Sequence, residues 1–196
     1  MDVKDIDLGW NKIVQKLQDL AKQEVDIGIQ SGEMSEDGET DMATIAAVHE
    51  FGAVIHRDAG TVTNYRKIKK DGSFAKNGRF VKKKSSNFAT SASRKAHDIY
   101  IPQRSFLRAT FDEKELVIGQ HAEKVVDSLI SDNNSYDIKK FGNFVEGLVK
   151  DKIVNGPFVP NSPATIKRKG SSRPLIDTGH LRQSVRYRIR QKGSDE

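Results

Sequence analysis

The chain reads as an α+β protein. A small antiparallel sheet is packed by an N-terminal helix and two long antiparallel helices, and a basic β-hairpin arm protrudes from it. Three observations predict this. Apolar residues recur at helical spacing over 5–23, 111–131 and 137–155. Two shorter runs, 24–30 and 184–190, alternate apolar with polar residues as half-buried strands do. Between them, residues 57–98 are rich in Lys, Arg and turn dipeptides and thin in large apolar side chains.

The first helix takes its stripe from Ile6, Trp10, Ile13, Val14, Leu17, Leu20 and Ala21. A strand follows at Glu24–Gln30 with Val25, Ile27 and Ile29 inward, then an acidic loop over 31–41. Asp41 suits the N-cap of a short helix that sets Ile45, Val48 and Phe51 on one side and stops at Gly52. Ala53–His56 enters a strand. The dipeptides Asp71-Gly72 and Asn77-Gly78 mark hairpin turns, so the arm is expected as a hairpin over 62–84, with the Ser/Thr/Ala-rich 85–93 as a flexible return. Extended backbone precedes Pro102. The first long helix is expected to begin near Phe111, with Asp112 as a possible cap and Leu116, Val117, His121, Val125, Leu129 and Ile130 inward. After the break at 132–135 the second runs from Asp137 to Asn155-Gly156-Pro157, burying Ile138, Phe141, Phe144, Val145, Leu148, Val149 and Ile153. Ser162-Pro163 starts a short helix that ends at Gly170. Asp177 or Thr178 caps a further helical turn before the strand, whose arginines stand opposite Val185, Tyr187 and Ile189.

A length of 196 residues fits one domain, 1–196, with 57–98 inserted as the arm and 191–196 as a flexible tail. Apolar residues make up 36% and charged residues 31%, which suits a modest core under much surface. There is no cysteine, which excludes disulfides and thiolate zinc sites. The acidic start lacks the pattern of an export signal, and no apolar run reaches the roughly 20 residues of a membrane span, so a soluble protein made in the cytoplasm is expected, with no membrane partner.

Chemistry is hard to place on this chain. His49-Glu50 lacks the second histidine four residues on that a zinc protease needs, since position 53 is Ala. The pair reads as a helix end, with Glu50 bound to a neighbouring Arg. His97, His121 and His180 stand alone without metal-ligand spacing. Asp177-Thr178-Gly179 matches the aspartic-protease triplet in three letters only, and no second copy supplies the partner carboxylate. No phosphate-binding glycine loop occurs. No catalytic residue, metal or cofactor is expected.

The charge distribution is more informative. The net charge is +6, yet 61–95 holds eleven Lys or Arg against one Asp, and 166–192 holds nine against one. The arm thus offers Tyr65, Arg66, Lys67, Lys69, Lys70, Phe74, Arg79, Phe80 and Lys82 as interface candidates, and Lys76, Lys83 and Lys84 add to its charge. It could lie along a phosphate backbone. Its aromatics suit hairpin packing better than base stacking. Arg104, Arg108, Arg182, Arg186, Arg188 and Arg190 form a second set, a charged face toward acidic partners or a DNA channel.

Four phrases stand in order along the chain: Ile45-Ala-Ala-Val-His-Glu-Phe-Gly52, Ile101-Pro-Gln-Arg-Ser-Phe-Leu-Arg108, Ser162-Pro-Ala-Thr-Ile-Lys-Arg-Lys-Gly170 and Leu175-Ile-Asp-Thr-Gly-His-Leu-Arg-Gln-Ser184. Together they resemble the tail-completion, or virion-morphogenesis, proteins of tailed bacteriophages, a family of minor tail and head–tail joining proteins. The second proline usual in the family's Ile-Pro phrase is Ser105 here, and the arm is longer than in shorter members. The resemblance implies an α+β fold, a homo-oligomeric ring, often of six copies, in the neck or top of the tail, and no enzymatic activity. The partners it implies are tail terminator, tube or sheath proteins and the head's connector or portal proteins, with genomic DNA nearby. The implied location is the virion, after assembly in the host cytoplasm. A basic nucleic-acid-binding module and a tail terminator are the alternative readings.

Overall fold

In the computed structural model the described residues are 9–35, 38–133 and 135–193, without the side chains of 76, 77 and 168. The expected Ile6 start of the first helix and the last three residues of the tail lie outside them. The chain divides into two compact units: a body, Met1–Gly52 with Pro102–Glu196, and a ribbon, Ala53–Ile101. The expected arm is therefore a unit of its own, a few residues wider at each end than 57–98.

The body is α+β, as the apolar periodicities require. Helix α1 (Trp10–Ala21) leads into β1 (Gln23–Ile29), which pairs antiparallel with β6 (Val185–Gln191) so that Ile27 faces Tyr187 and Val25 faces Ile189. Gln191 still pairs with Gln23, and the Lys192 N–H donates to the Lys22 carbonyl at 2.6 Å, so the strand outlasts the flexible tail expected from residue 191. Helix α2 (Met42–Phe51) ends at Gly52, whose φ of 75° is one that glycine tolerates. The long helices α3 (Arg108–Ile130) and α4 (Ile138–Asn155) are antiparallel. Glu113 near the start of one pairs with Lys152 near the end of the other at 2.6 Å, and His121 stacks flat on Phe144 midway, ring centroids 3.6 Å apart. The two short helices are α5 (Pro163–Lys169) and α6 (His180–Ser184).

One core holds the body together. Met42 of α2, Phe106, Val149 and Ile153 of α4, Leu175, Leu181 of α6 and Val185 of β6 are buried and mutually packed, with Ile27, Ile29 and Ile45 against them. Helix α4 closes on β6 at Gly142, where an added Cβ would lie 2.4 Å from the Tyr187 ring. Glu146, one turn on, accepts the outward Tyr187 N–H at 2.8 Å and so occupies the free edge of β6.

Several expectations are corrected. Helix α3 starts at Arg108, not near Phe111, and Asp112 is not its cap. Leu116 and Ile130, expected inward, are 75% and 47% exposed, while Val125 and Ser128 take the buried face. Trp10 and Phe51 are likewise exposed. Asp41 occupies the N-cap position of α2, but its carboxylate accepts from Gly32 N–H rather than from the helix. Helix α6 is entered through Gly179 at φ 88°, with no side-chain cap from Asp177 or Thr178. Ser162 does cap as read, accepting from Thr165 N–H, and Asp137, at the expected start of the second long helix, caps it by accepting from Lys140 N–H.

The ribbon is two antiparallel pairs. Strand β2 (Ala53–Arg57) pairs with β5 (His97–Ile101), and β3 (Gly60–Arg66) with β4 (Phe88–Arg94). Residues 85–93 are thus mostly strand, not a flexible return, because β3 supplies the hydrogen-bonding partner that their small side chains do not advertise. The hairpin joins 60–66 to 88–94, not the two sides of 62–84.

Candidate functional site

The four phrases that carry the resemblance converge in the body. The carboxylate of Glu50, 5% exposed at the end of α2, accepts the N–H groups of Phe106, Leu107 and Arg108 at 2.9, 2.9 and 3.1 Å, the Ser105 hydroxyl at 2.6 Å and the Arg108 Nε at 3.1 Å. Every helix begins with unpaired N–H groups and a partial positive charge. A carboxylate from another element satisfies both for α3. Burial pushes the Glu50 carboxyl up, but the Ser105 hydroxyl, the Leu107 and Arg108 N–H groups and the Arg108 guanidinium outweigh it and hold it below the usual range. Arg108 also lies over the Phe51 ring at 4.5 Å.

Arg104 is buried at 6% exposure, against its expected place on a charged face. Its backbone N–H donates to His49 O at 2.7 Å, and its guanidinium donates to Val159 O, Pro160 O and Asn161 Oδ1 at 2.9, 3.4 and 3.2 Å. These partners are carbonyls, not a carboxylate, so it ties the second phrase to the turn before the third. Beside it His49 is shifted down to about 4 by burial, then by the charges of Arg104 and Lys169. The site has the means to order backbone. Among the described residues no three His, Asp or Glu side chains gather to hold a metal ion.

The arginine strand is partly neutralised at home. The register sets Arg188 opposite Asp26 and Arg190 opposite Glu24, and Arg190 reaches Asp26 at 2.6 Å and Glu24 at 3.5 Å. Arg186 donates to the carbonyls of Gln183 and Val185. Arg182 is exposed on α6.

The ribbon differs from the body in kind. No described side chain between 53 and 101 is buried. Its apolar residues face out instead: Val54 is 62% exposed opposite Tyr100 at 71%, on the pleat face away from Ile55 and Ile99. Its tip, 67–87, is ordered by local chemistry. Lys69 N–H donates to Ser73 O across a turn at Gly72, φ 79°, and Asp71 accepts from both the N–H and hydroxyl of Ser73. Asn87 replaces a strand neighbour: its Oδ1 accepts Ile68 N–H at 2.7 Å and its Nδ2 donates to Ile68 O at 2.8 Å. The Arg66 guanidinium lies over Phe74 and Phe80 at 5.2 and 5.0 Å, and Phe74 meets Phe88 edge to face.

Three of the nine candidates on the arm, Arg66, Phe74 and Phe80, therefore build the tip. Tyr65 is half-buried in β3. Lys67, Lys69, Lys70, Arg79 and Lys82 are exposed, and none has an ion-pair partner among the described residues. Asn87 was not among the candidates. Its signal is an amide side chain just before a strand, visible only once the register of β3 and β4 is known.

No family model, curated protein or solved structure matches this chain. No helix among the described residues is long and apolar enough to cross a membrane.

Proposed function

We propose that this chain is a structural virion protein of a tailed bacteriophage, a ring component of the neck that completes the tail and joins it to the head. Its mechanism is docking, without catalysis. One observation carries the reading: the ribbon Ala53–Ile101 presents apolar and cationic side chains with no buried residue among those described. A two-stranded ribbon is marginal in water by itself. Exposed apolar surface of this kind marks an interaction site. The four phrases support the reading differently. Three of them meet in the core and at the Glu50 cap, and Lys169 of the third lies near enough to His49 for its charge to act there, so they specify the body, while the ribbon is left for contact.

The partners in this reading are further copies in a closed ring, six by the resemblance, then tail terminator, tube or sheath proteins on one side and connector or portal proteins on the other. The ring surrounds or lies near the genomic DNA, and assembly takes place in the host cytoplasm. Electron microscopy of particles made without the protein tests it. Filled heads separate from finished tails are the expected result; intact virions would refute the reading.

The exposed cations of the tip favour a second reading, a basic nucleic-acid-binding module. It predicts salt-dependent retention of short duplexes by the purified chain, and no retardation at low salt would remove it.

A further inference from the structure

The two units carry opposite charge. The ribbon, 53–101, has twelve Lys or Arg and three Asp, whereas the remainder has 21 Lys or Arg and 24 Asp or Glu. Within the tip, seven exposed cations, Lys69, Lys70 and Lys82 among them, have no ion-pair partner among the described residues. On the body, α3 has a matching defect. At 100° per residue, Asp112, Leu116, Glu123 and Asp127 lie on one stripe opposite the buried Val125 and Ser128, with Glu115 at its margin. All five are exposed, Leu116 at 75%, and none of the four carboxylates is in an ion pair among the described residues. The stripe spans about 22 Å at 1.5 Å per residue, long enough to meet several cations together.

We infer that the ribbon tip of one copy docks on the acidic outer stripe of α3 in a second copy. This rests on the homo-oligomer of the proposed function and names its two mating surfaces. A carboxylate stripe around an apolar Leu116 complements cations set around exposed Phe74 and Phe80. The two surfaces are different patches, so each copy gives one and receives one. Such a heterologous contact closes into a ring when its rotation allows.

Sedimentation of the full chain at low and high salt tests this. The wild type should associate, more weakly as salt rises. The α3 variant Glu115→Lys/Glu123→Lys and the ribbon variant Lys69→Glu/Lys70→Glu should each be monomeric at ten times the concentration at which the wild type associates. Both substituted pairs are exposed, and circular dichroism matching the wild type shows that the fold is kept. An equimolar mixture of the two variants should associate again, because each then meets the opposite sign on the other. A monomeric wild type, association indifferent to the α3 variant, or a mixture that stays monomeric would overturn the inference. So would a wild type that retains a short duplex through Lys69 and Lys70 while self-association ignores α3, which assigns the tip to nucleic acid. Separate heads and tails in particles lacking the protein, with the α3 variant still associating, would refute this contact and leave the neck role standing.

Discussion

At the scale of the residue, His49 shows what the capping cluster costs. It precedes Glu50 in the chain and its carbonyl accepts the Arg104 N–H, and its imidazole is held neutral by burial and by the Arg104 and Lys169 charges, down to about 4 from its ordinary 6.5. The sign follows from proton counting. Between those values the unfolded chain binds a proton that the folded chain refuses, so stability rises with pH across the window and falls as pH drops from 6.5 toward 4. The slope is at most about 1.4 kcal/mol per pH unit. Glu50 acts lower. Its folded pKa lies below the ordinary 4.5, so its contribution is present above that value and is lost as pH falls through the folded pKa. The two windows separate the groups. Thermal unfolding of wild type should lose Tm steadily from pH 6.5 to 4.5, and His49→Gln should flatten that stretch. An unchanged slope in the variant would mean that other groups carry it.

At the scale of the element, the start of α3 is the feature whose cap comes from farthest away. Removing the Glu50 side chain leaves the N–H groups of Phe106, Leu107 and Arg108 without their acceptor and frees a half-covered arginine. Glu50→Ala should cost about 3 kcal/mol, as loss of one member of a buried charged network does. Asp137→Ala, at an exposed cap that serves one N–H of α4, should cost about 1 kcal/mol. Chemical denaturation of both variants checks the order, and equal losses would show that Glu50 is no more than a local cap. The same contrast explains what could be read from residues in sequence. Asp137, Ser162-Pro163, Gly52 and Gly170 signal their helix ends within a turn, and the ends of α2, α4 and α5 were legible. The cap of α3 stands more than fifty residues away, so local rules moved its start toward Asp112 and turned Leu116 inward. Strand β4 hid for a related reason. Ala89, Ser91 and Ser93 carry no apolar alternation, and only pairing with β3 makes them a strand. The candidate site was half legible: charge density marked the tip, while the tertiary contacts that bury Arg104 and occupy Arg190 with Glu24 and Asp26 leave no local trace.

At the scale of the whole molecule, the division of labour between body and ribbon is itself a prediction. The buried core is drawn from residues before Gly52 and after Pro102. The ribbon's ends are paired, Ala53 against Ile101, so their Cα atoms lie about 5 Å apart as antiparallel partners do. A short turn can replace everything between them without stretching the body. A chain in which Asn-Gly replaces residues 54–100 should therefore fold cooperatively, with a Tm within a few degrees of wild type. No described side chain removed is buried, and the Glu50 cap and the α4–β6 contact are untouched. Deleting the ribbon also removes nine net positive charges, which leaves the body at −3 and lowers the chain's affinity for anything acidic. The excised chain should then be a stable monomer that neither self-associates nor joins heads to tails when supplied in place of wild type. Calorimetry and particle complementation read the two halves separately. A body that loses its cooperative transition would show that the ribbon is part of the fold, and a stable body that still completes particles would show that docking lies elsewhere.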